Sequence, residues 1–342
     1  MSKKKKFEKY ISASRIKTLE GCTWVYWAKY HLKLPDKTNS GAERGTLCHL
    51  IFELLLKPRH KKHFDGIIKK GSITGSSVIL RLAIKHMKKF ESNKVKGEME
   101  QENYDLVDKM IVVGLECDFF GEGGHIEKPE QEFDITNDDP EYRIKGYIDK
   151  PIEYKNKKEV KIVDYKSSKA KFRGEDLKSN VQAMMYSLAA KKIWPDLKPS
   201  VEFLFLRFPR APFQQLEFSD SILGGFKHFL GYMYDMISNF NEETAKNNFA
   251  SRSRTNRWLC GKTEKGKWCC PFRKAFKFYA LVDENDEIIK TSYEQDLVAN
   301  KKQKVVEKIY DGCPEWKNRD TLDAFDLEDG PEKTNKNDEF DF

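Results

Sequence analysis

Apolar positions recur at helical spacing through residues 11–30, ISASRIKTLEGCTWVYWAKY, with Ser12 or Ser14 placed to cap a helix. Residues 46–56, TLCHLIFELLL, are apolar almost throughout. They predict a second, largely buried helix, with Gly41 and Gly45 in the loop before it. Residues 57–125 are lysine-rich and helical in period, most clearly over 78–90 and 104–120. The pattern then changes. Residues 130–135, 142–148, 151–154 and 159–164 are short β-type runs separated by Asn, Asp, Pro and Lys clusters. Helical period returns over 177–192, residues 201–208 alternate like a strand, and 221–240 is helical again. This order predicts an α/β chain with a central mixed sheet and a helical insertion.

Charge adds a partner class. The 342 residues include 62 Lys and Arg against 54 Asp and Glu, a net of +8. From Asp320 onward there are nine acids and two lysines, so the tail carries −7 and the rest about +15. A basic body favours a polyanion, most often nucleic acid. The acidic end is expected to be disordered. No apolar run approaches about 18 residues, so no membrane span is expected. The start, MSKKKKFEKY, lacks the apolar stretch of a secretory signal. Seven cysteines then point to a reducing compartment, as thiols or metal ligands. A cytoplasmic setting is expected, or a host's cytoplasm if the chain is viral.

The most informative stretch is 146–166, GYIDKPIEYKNKKEVKIVDYK. Asp149 ends one β-run and Asp164 another, with Lys166 two residues on. Acids at the ends of neighbouring strands can converge on one hard cation, because magnesium and manganese prefer oxygen ligands. A lysine two residues along shares a strand face with Asp164 and can hold a water or a phosphate there. D/E-x-K alone is weak, since 153–155, 159–161 and 176–178 repeat it. Only 164–166 follows an apolar strand and pairs with a second strand-end aspartate. His49, four residues after Gly45, offers an imidazole, although a lone helical histidine is more often a core residue. Gln182 and Tyr186 share one helix face at i, i+4.

Gly45-x3-His49, Gly146-Tyr-Ile-Asp149, Val163-Asp164-Tyr165-Lys166 and Gln182-x3-Tyr186, with Ile-Ser-Ala-Ser-Arg at 11–15, resemble in order and spacing the RecB-type branch of the PD-(D/E)XK nucleases. The resemblance covers roughly residues 10–275. It implies a restriction-endonuclease-like core, with a central mixed sheet flanked by helices, and divalent-metal-dependent phosphodiester hydrolysis leaving a 5′-phosphate. The metal, Mg2+ or Mn2+, would be held by His49, Asp149, Asp164 and the Tyr165 carbonyl. Lys166 would orient or activate water, Gln182 would support the site, and Tyr186 would support the DNA strand. Lys169, Lys171 and Arg173 are expected phosphate contacts beside the scissile position. The expected organisation is a basic extension (1–10), a nuclease domain (11–318) with a helical insertion or arch (57–125) and a cysteine-rich segment (250–278), and an acidic tail (319–342).

Some RecB-type nucleases staple an early cysteine to three late ones with a 4Fe–4S cluster. Cys22, Cys260, Cys269 and Cys270 resemble that set, although the spacing departs from the usual one and Phe276 stands where a last ligand would fall. Zinc, or no metal, stays open on ligand type. Cys48, Cys117 and Cys313 are scattered, and the first two sit in apolar surroundings.

Lys and Arg interleave with aromatics over 252–278, as on strand-tracking surfaces. The last residues, NDEFDF, pair acids with aromatics, like tails that dock on replication or recombination partners. The leading reading is a DNA exonuclease on single strands or ends, in replication, repair or recombination. The alternatives are a flap or junction endonuclease and a non-catalytic end-binding adaptor on the same fold.

Overall fold

A computed structural model describes residues 9–36, 40–92, 100–262 and 268–317. The acidic tail, most of the basic extension, and Lys265 and Lys267 lie outside the described residues. In chain order the helices are α1 (Ala13–Gly21), α2 (Thr23–Tyr26), α3 (Ser40–Leu56), α4 (Lys62–Lys70), α5 (Ser77–Ser92), α6 (Glu100–Glu116), α7 (Val181–Ile193), α8 (Asp220–Ser238), α9 (Glu242–Ala245) and α10 (Pro314–Lys317). The strands are β1 (Gln131–Asp138), β2 (Glu141–Ile148), β3 (Lys150–Tyr154), β4 (Glu159–Lys166), β5 (Lys198–Phe205), β6 (Phe213–Leu216), β7 (Phe276–Val282), β8 (Ile288–Ser292) and β9 (Lys304–Tyr310). The chain divides into two compact units. Of the described residues, 9–12 and those between 40 and 234 fall in one, and 13–36 with those between 235 and 317 in the other.

The first unit carries the expected mixed sheet, in the order β3-β4-β5-β6. β4 pairs antiparallel with β3 and parallel with β5, and β6 returns antiparallel. The parallel pair needs a crossover, and α7 supplies it. Alternation assigns the faces. Ile152, Tyr154, Val163, Tyr165 and Leu204 join one apolar core with Leu47, Ile51, Phe52 and Leu55 of α3. That core also takes in Ile67, Ile79, Ala83, Val107, Met110 and Ile111 from α4, α5 and α6. The helices α4, α5 and α6 thus turn their apolar faces to this core. On the opposite face lie Glu153, Asp164 and Lys166, with α7 over them. β1 and β2 form a separate hairpin.

The second unit contains the antiparallel sheet β8-β7-β9. The sequence pattern assigns no strand beyond residue 208, so this sheet is a correction. The helix expected over 11–30 is also interrupted. α1 ends at Gly21, α2 begins at Thr23, and a π-helical turn follows over Trp27–His31. Gly41 and Gly45, expected in a loop, lie inside α3. Trp24 Nε1 donates to the Tyr310 hydroxyl at 2.7 Å, and that hydroxyl donates to the Phe272 carbonyl at 3.0 Å.

Candidate active site and cysteine cluster

Strand register places the acids. β2 and β3 are separated by one residue, Asp149. The β3–β4 ladder ends with Lys150 opposite Val163, so its next step sets Asp149 against Asp164. The β1–β2 ladder ends with Gln131 opposite Ile148, so its next step sets Glu130 against Asp149. The Glu130 N–H donates to the Asp149 carbonyl at 2.9 Å, which fixes that step. Glu130, Asp149 and Asp164 thus form a row across successive pairings. Glu130 has φ 54°, a left-handed backbone that a glutamate rarely adopts.

His49 reaches the row from α3. Its Nδ1 lies 3.3 Å from Asp149 Oδ2 and 4.0 Å from Glu130 Oε1, and its Nε2 is 3.0 Å from the Tyr165 carbonyl. The Tyr165 N–H donates to Asp149 Oδ2 at 2.9 Å. Gly45 permits this approach: a Cβ there would lie 2.8 Å from Ser167 Oγ, one residue past Lys166. A cavity of about 470 Å³ opens beside the row, lined by Gly45, Thr46, His49, Glu53 and Glu130.

Asp164 is almost fully buried. Its Oδ1 accepts from Gln182 Nε2 and from the Tyr186 hydroxyl, each at 2.9 Å. Its Oδ2 faces the Lys166 ammonium at 2.8 Å as an ion pair. Lys166 also donates to Gln182 Oε1 at 2.7 Å, and Gln182 donates to the Tyr186 hydroxyl at 2.8 Å. α7 holds this pair of side chains because Asn180 caps it, accepting from the Ala183 N–H at 2.9 Å.

Electrostatics make the row a place for positive charge. Burial, and then the Asp149 charge, raise Glu130 to about 7. Burial also raises Asp164, against the pull of Lys166. Burial works against charging His49, but Asp149, Asp164 and Glu130 outweigh it and raise it to about 9. Clustered acids of this kind ionise together only beside a cation.

His49, Glu130 and Asp149 each offer a donor atom, all within 4.8 Å of one another. Two carboxylates and an imidazole fit a magnesium- or manganese-type ion. Three expected ligand groups, His49, Asp149 and the Tyr165 carbonyl, are brought together. Asp164 is not in that close group, because Lys166, Gln182 and Tyr186 hold its carboxylate. Sequence reasoning missed Glu130. The hairpin register was the available signal: the Asp139-Pro140 turn sets residue 130 opposite 149.

The flanking cations differ from one another. Lys169 and Arg173 are exposed. Lys171, expected on phosphate, instead donates to the Ala211 carbonyl and lies over the Phe205 and Phe208 rings at 5.9 and 5.4 Å.

The cysteines lie in the second unit. Cys22 and Cys313 are buried, and Cys260, Cys269 and Cys270 are half-buried. Burial first, and then the Cys22, Cys313 and Cys260 sulfurs, push Cys270 up to about 12. Cys313 is likewise raised to about 12, first by burial and then by sulfurs including Cys22 and Cys260. Cys260 rises by burial and then by Cys22. Cys269 is raised by burial alone. Cys313, left among the scattered cysteines by the sequence pattern, has its N–H on the Arg273 carbonyl at 3.1 Å, and the Arg273 guanidinium donates to the Cys260 carbonyl at 2.9 Å.

The family model of the PD-(D/E)XK nuclease superfamily matches residues 10–319. The chain belongs to the PD-(D/E)XK nuclease superfamily. No curated protein matches it. Among solved structures it is similar to a candidate exonuclease from Eubacterium rectale, at 11% identity and a TM-score of 0.45. That match covers 75% of this chain and 92% of the other. The chain's strand-end acids and Lys166 lie at the ends of neighbouring strands, with Asp164 and Lys166 on β4, an interior strand of the mixed sheet. Among the described residues no helix is long and apolar enough to cross a membrane.

Proposed function

We propose that this PD-(D/E)XK nuclease is a RecB-type, divalent-metal-dependent deoxyribonuclease, an exonuclease on single strands or ends. The observation that carries the reading is the row Glu130–Asp149–Asp164, with His49 on one side and Lys166 on the other. Glu130, Asp149 and His49 would hold Mg2+ or Mn2+, with the Tyr165 carbonyl and Asp164 at its margin. When bound, the ion supplies Lewis acidity toward water and a phosphate oxygen.

The chain's own residues do the rest. Asp164 and Gln182 fix the Lys166 ammonium, so its charge faces the place where an attacking water and the phosphate meet. Tyr186 and Gln182 hold Asp164 in one rotamer. Lys169 and Arg173, exposed just beyond β4, grip the strand's phosphates. Lys171 anchors the segment that carries them. The cysteine-rich segment is a structural staple around an iron–sulfur cluster. The acidic tail docks on a replication or recombination partner.

The test uses 5′- and 3′-labelled linear single strands beside covalently closed circular single strands, with magnesium or manganese. Mononucleotide release from linear DNA with intact circles is expected. Cutting of circles would replace the exonuclease with an endonuclease. Binding without cleavage under any metal would replace both with an end-binding adaptor.

A further inference from the structure

The cavity of about 470 Å³ beside the acid row has one wall from α3. Ala42, Gly45, Thr46 and Leu50, which are small or apolar, line it together with the Glu53 and Glu130 carboxylates. The Thr46 hydroxyl is taken within the helix, donating to the Ala42 carbonyl at 3.1 Å. Among the described residues no Lys or Arg lines the cavity. The nearest cations along α3 and just past it have other partners. Arg44 is buried and donates to Asn103 Oδ1, and Lys57 donates to Glu53 Oε1 at 2.6 Å.

Cations gather instead on the β4 side. Lys166 ends that strand, and Lys169 and Arg173 are exposed just past it. A phosphate at the α3 wall would meet Glu53 and no uncommitted cation, whereas past β4 it would meet Lys169 and Arg173. A strand held at the metal ligands is therefore drawn to lay its phosphates on the β4 side, which turns the base at the scissile position toward α3. A base is flat and uncharged, so its face suits the apolar wall while its edge can donate to a carboxylate. The volume fits as well, since small-ligand sites run from about 300 to 1,000 Å³. Glu53 lies one helical turn past His49 on the same face of α3, but outside the close group His49, Glu130 and Asp149. Lys57 fixes its carboxylate, which has lone pairs enough for a second donor.

We infer that this cavity takes the nucleobase beside the scissile phosphate and that Glu53 selects it, favouring cytosine and adenine over thymine. Cytosine and adenine carry an exocyclic amine, a donor that a carboxylate accepts, as Glu and Asp do from cytosine N4. Thymine presents a carbonyl oxygen in the same place, which a carboxylate repels. Glu53 is thus a specificity residue, separate from the groups that hold the metal.

The base site presupposes the nuclease reading of the row, so preference is measured between substrates of one cleaving enzyme. Labelled oligo-dT strands carry a single dC, dA or abasic residue at the 5′ end, at the 3′ end or mid-strand, and the full chain is supplied with magnesium or manganese. Wild type is expected to cleave at dC and dA about 5-fold or more faster than at dT in the same position. The abasic residue should be no better than dT. Glu53→Gln should abolish the preference, because its amide can donate to the thymine oxygen, and should need no more metal than wild type. Thr46→Phe, which fills the cavity, should slow cleavage at dC and dA more than at the abasic residue. Where Thr46→Phe fails to fold, wild type and Glu53→Gln decide. Equal wild-type rates at dC, dA and dT, or an unchanged preference in Glu53→Gln, would overturn the assignment. A Glu53→Gln variant that needs more metal on every strand would overturn it too, by placing Glu53 among the metal ligands. No cleavage of any strand by wild type would overturn the nuclease reading itself, and the base site with it.

Discussion

Asp164 has two oxygens and three partners from two elements, and this crowding sets its role. Gln182 and Tyr186 occupy one oxygen and Lys166 faces the other, so the carboxylate is pre-oriented before any ligand arrives. Asp149, His49 and Lys166 were legible because each sits at a fixed offset in a short motif. Glu130 was not, because its only mark is its place in a hairpin. The link between Cys313 and the Cys270 segment, 43 residues earlier, was not legible because it runs through the Arg273 backbone. His31 was not singled out either. It stacks on Trp27 at 4.5 Å beside Phe240 at 5.5 Å, and burial, then Arg15, lower it to about 4. The unfolded chain binds this proton near about 6.5 and the folded chain near about 4. Between those values the unfolded state holds more protons, so this contribution to stability is lost as pH falls from 6.5 toward 4. In His31→Phe the urea midpoint should fall less than in wild type over that window. Equal falls would show that His31 titrates normally.

At the scale of elements, the four strands from 131 to 166 were legible because their apolar alternation is bounded by turn residues. β8 and β9 were not, because IIKTS and KVVEKIY are half-exposed and broken by lysines. α3 begins earlier than its apolar run because Gly41 and Gly45 are tolerated inside it, the latter passing over Ser167. Besides placing Glu130 and Asp149, the β1–β2 hairpin reaches α7 through a ring. Phe133 lies opposite Gly146, where a Cβ would come within 2.6 Å of it, and its ring is 6.2 Å from Tyr186. Gly146→Val should push that ring toward Tyr186 and cost about 1–3 kcal/mol. Chemical denaturation checks the stability, and cleavage at a temperature where both proteins are folded should fall as well. Unchanged cleavage in a destabilised variant would show that the hairpin supports the fold and not the site.

At the scale of the whole molecule, the mixed sheet with helices on both faces was legible in the order of periods along the chain. The division into two units was not, because the second unit joins a short early segment, 13–36, to a distant one, 235–317. Charge asymmetry also acts at this scale. Removing residues 320–342 deletes a net −7, leaving about +15. Single-stranded DNA should then bind more tightly at low salt, with the difference closing as salt rises. Equal affinities at low salt would confine the tail to partner binding. The row Glu130–Asp149–Asp164, with His49 and Lys166, would support DNA cleavage when a divalent ion is held there. The deciding measurement is cleavage of labelled single-stranded DNA with magnesium, manganese or EDTA by wild type, Asp164→Asn and Glu130→Gln. Wild type should cleave only with metal. Asp164→Asn should lose at least about 10²–10³-fold in rate while still binding DNA, and Glu130→Gln should need more metal for the same rate. Cleavage that survives EDTA, or an Asp164→Asn variant as fast as wild type, would contradict the account.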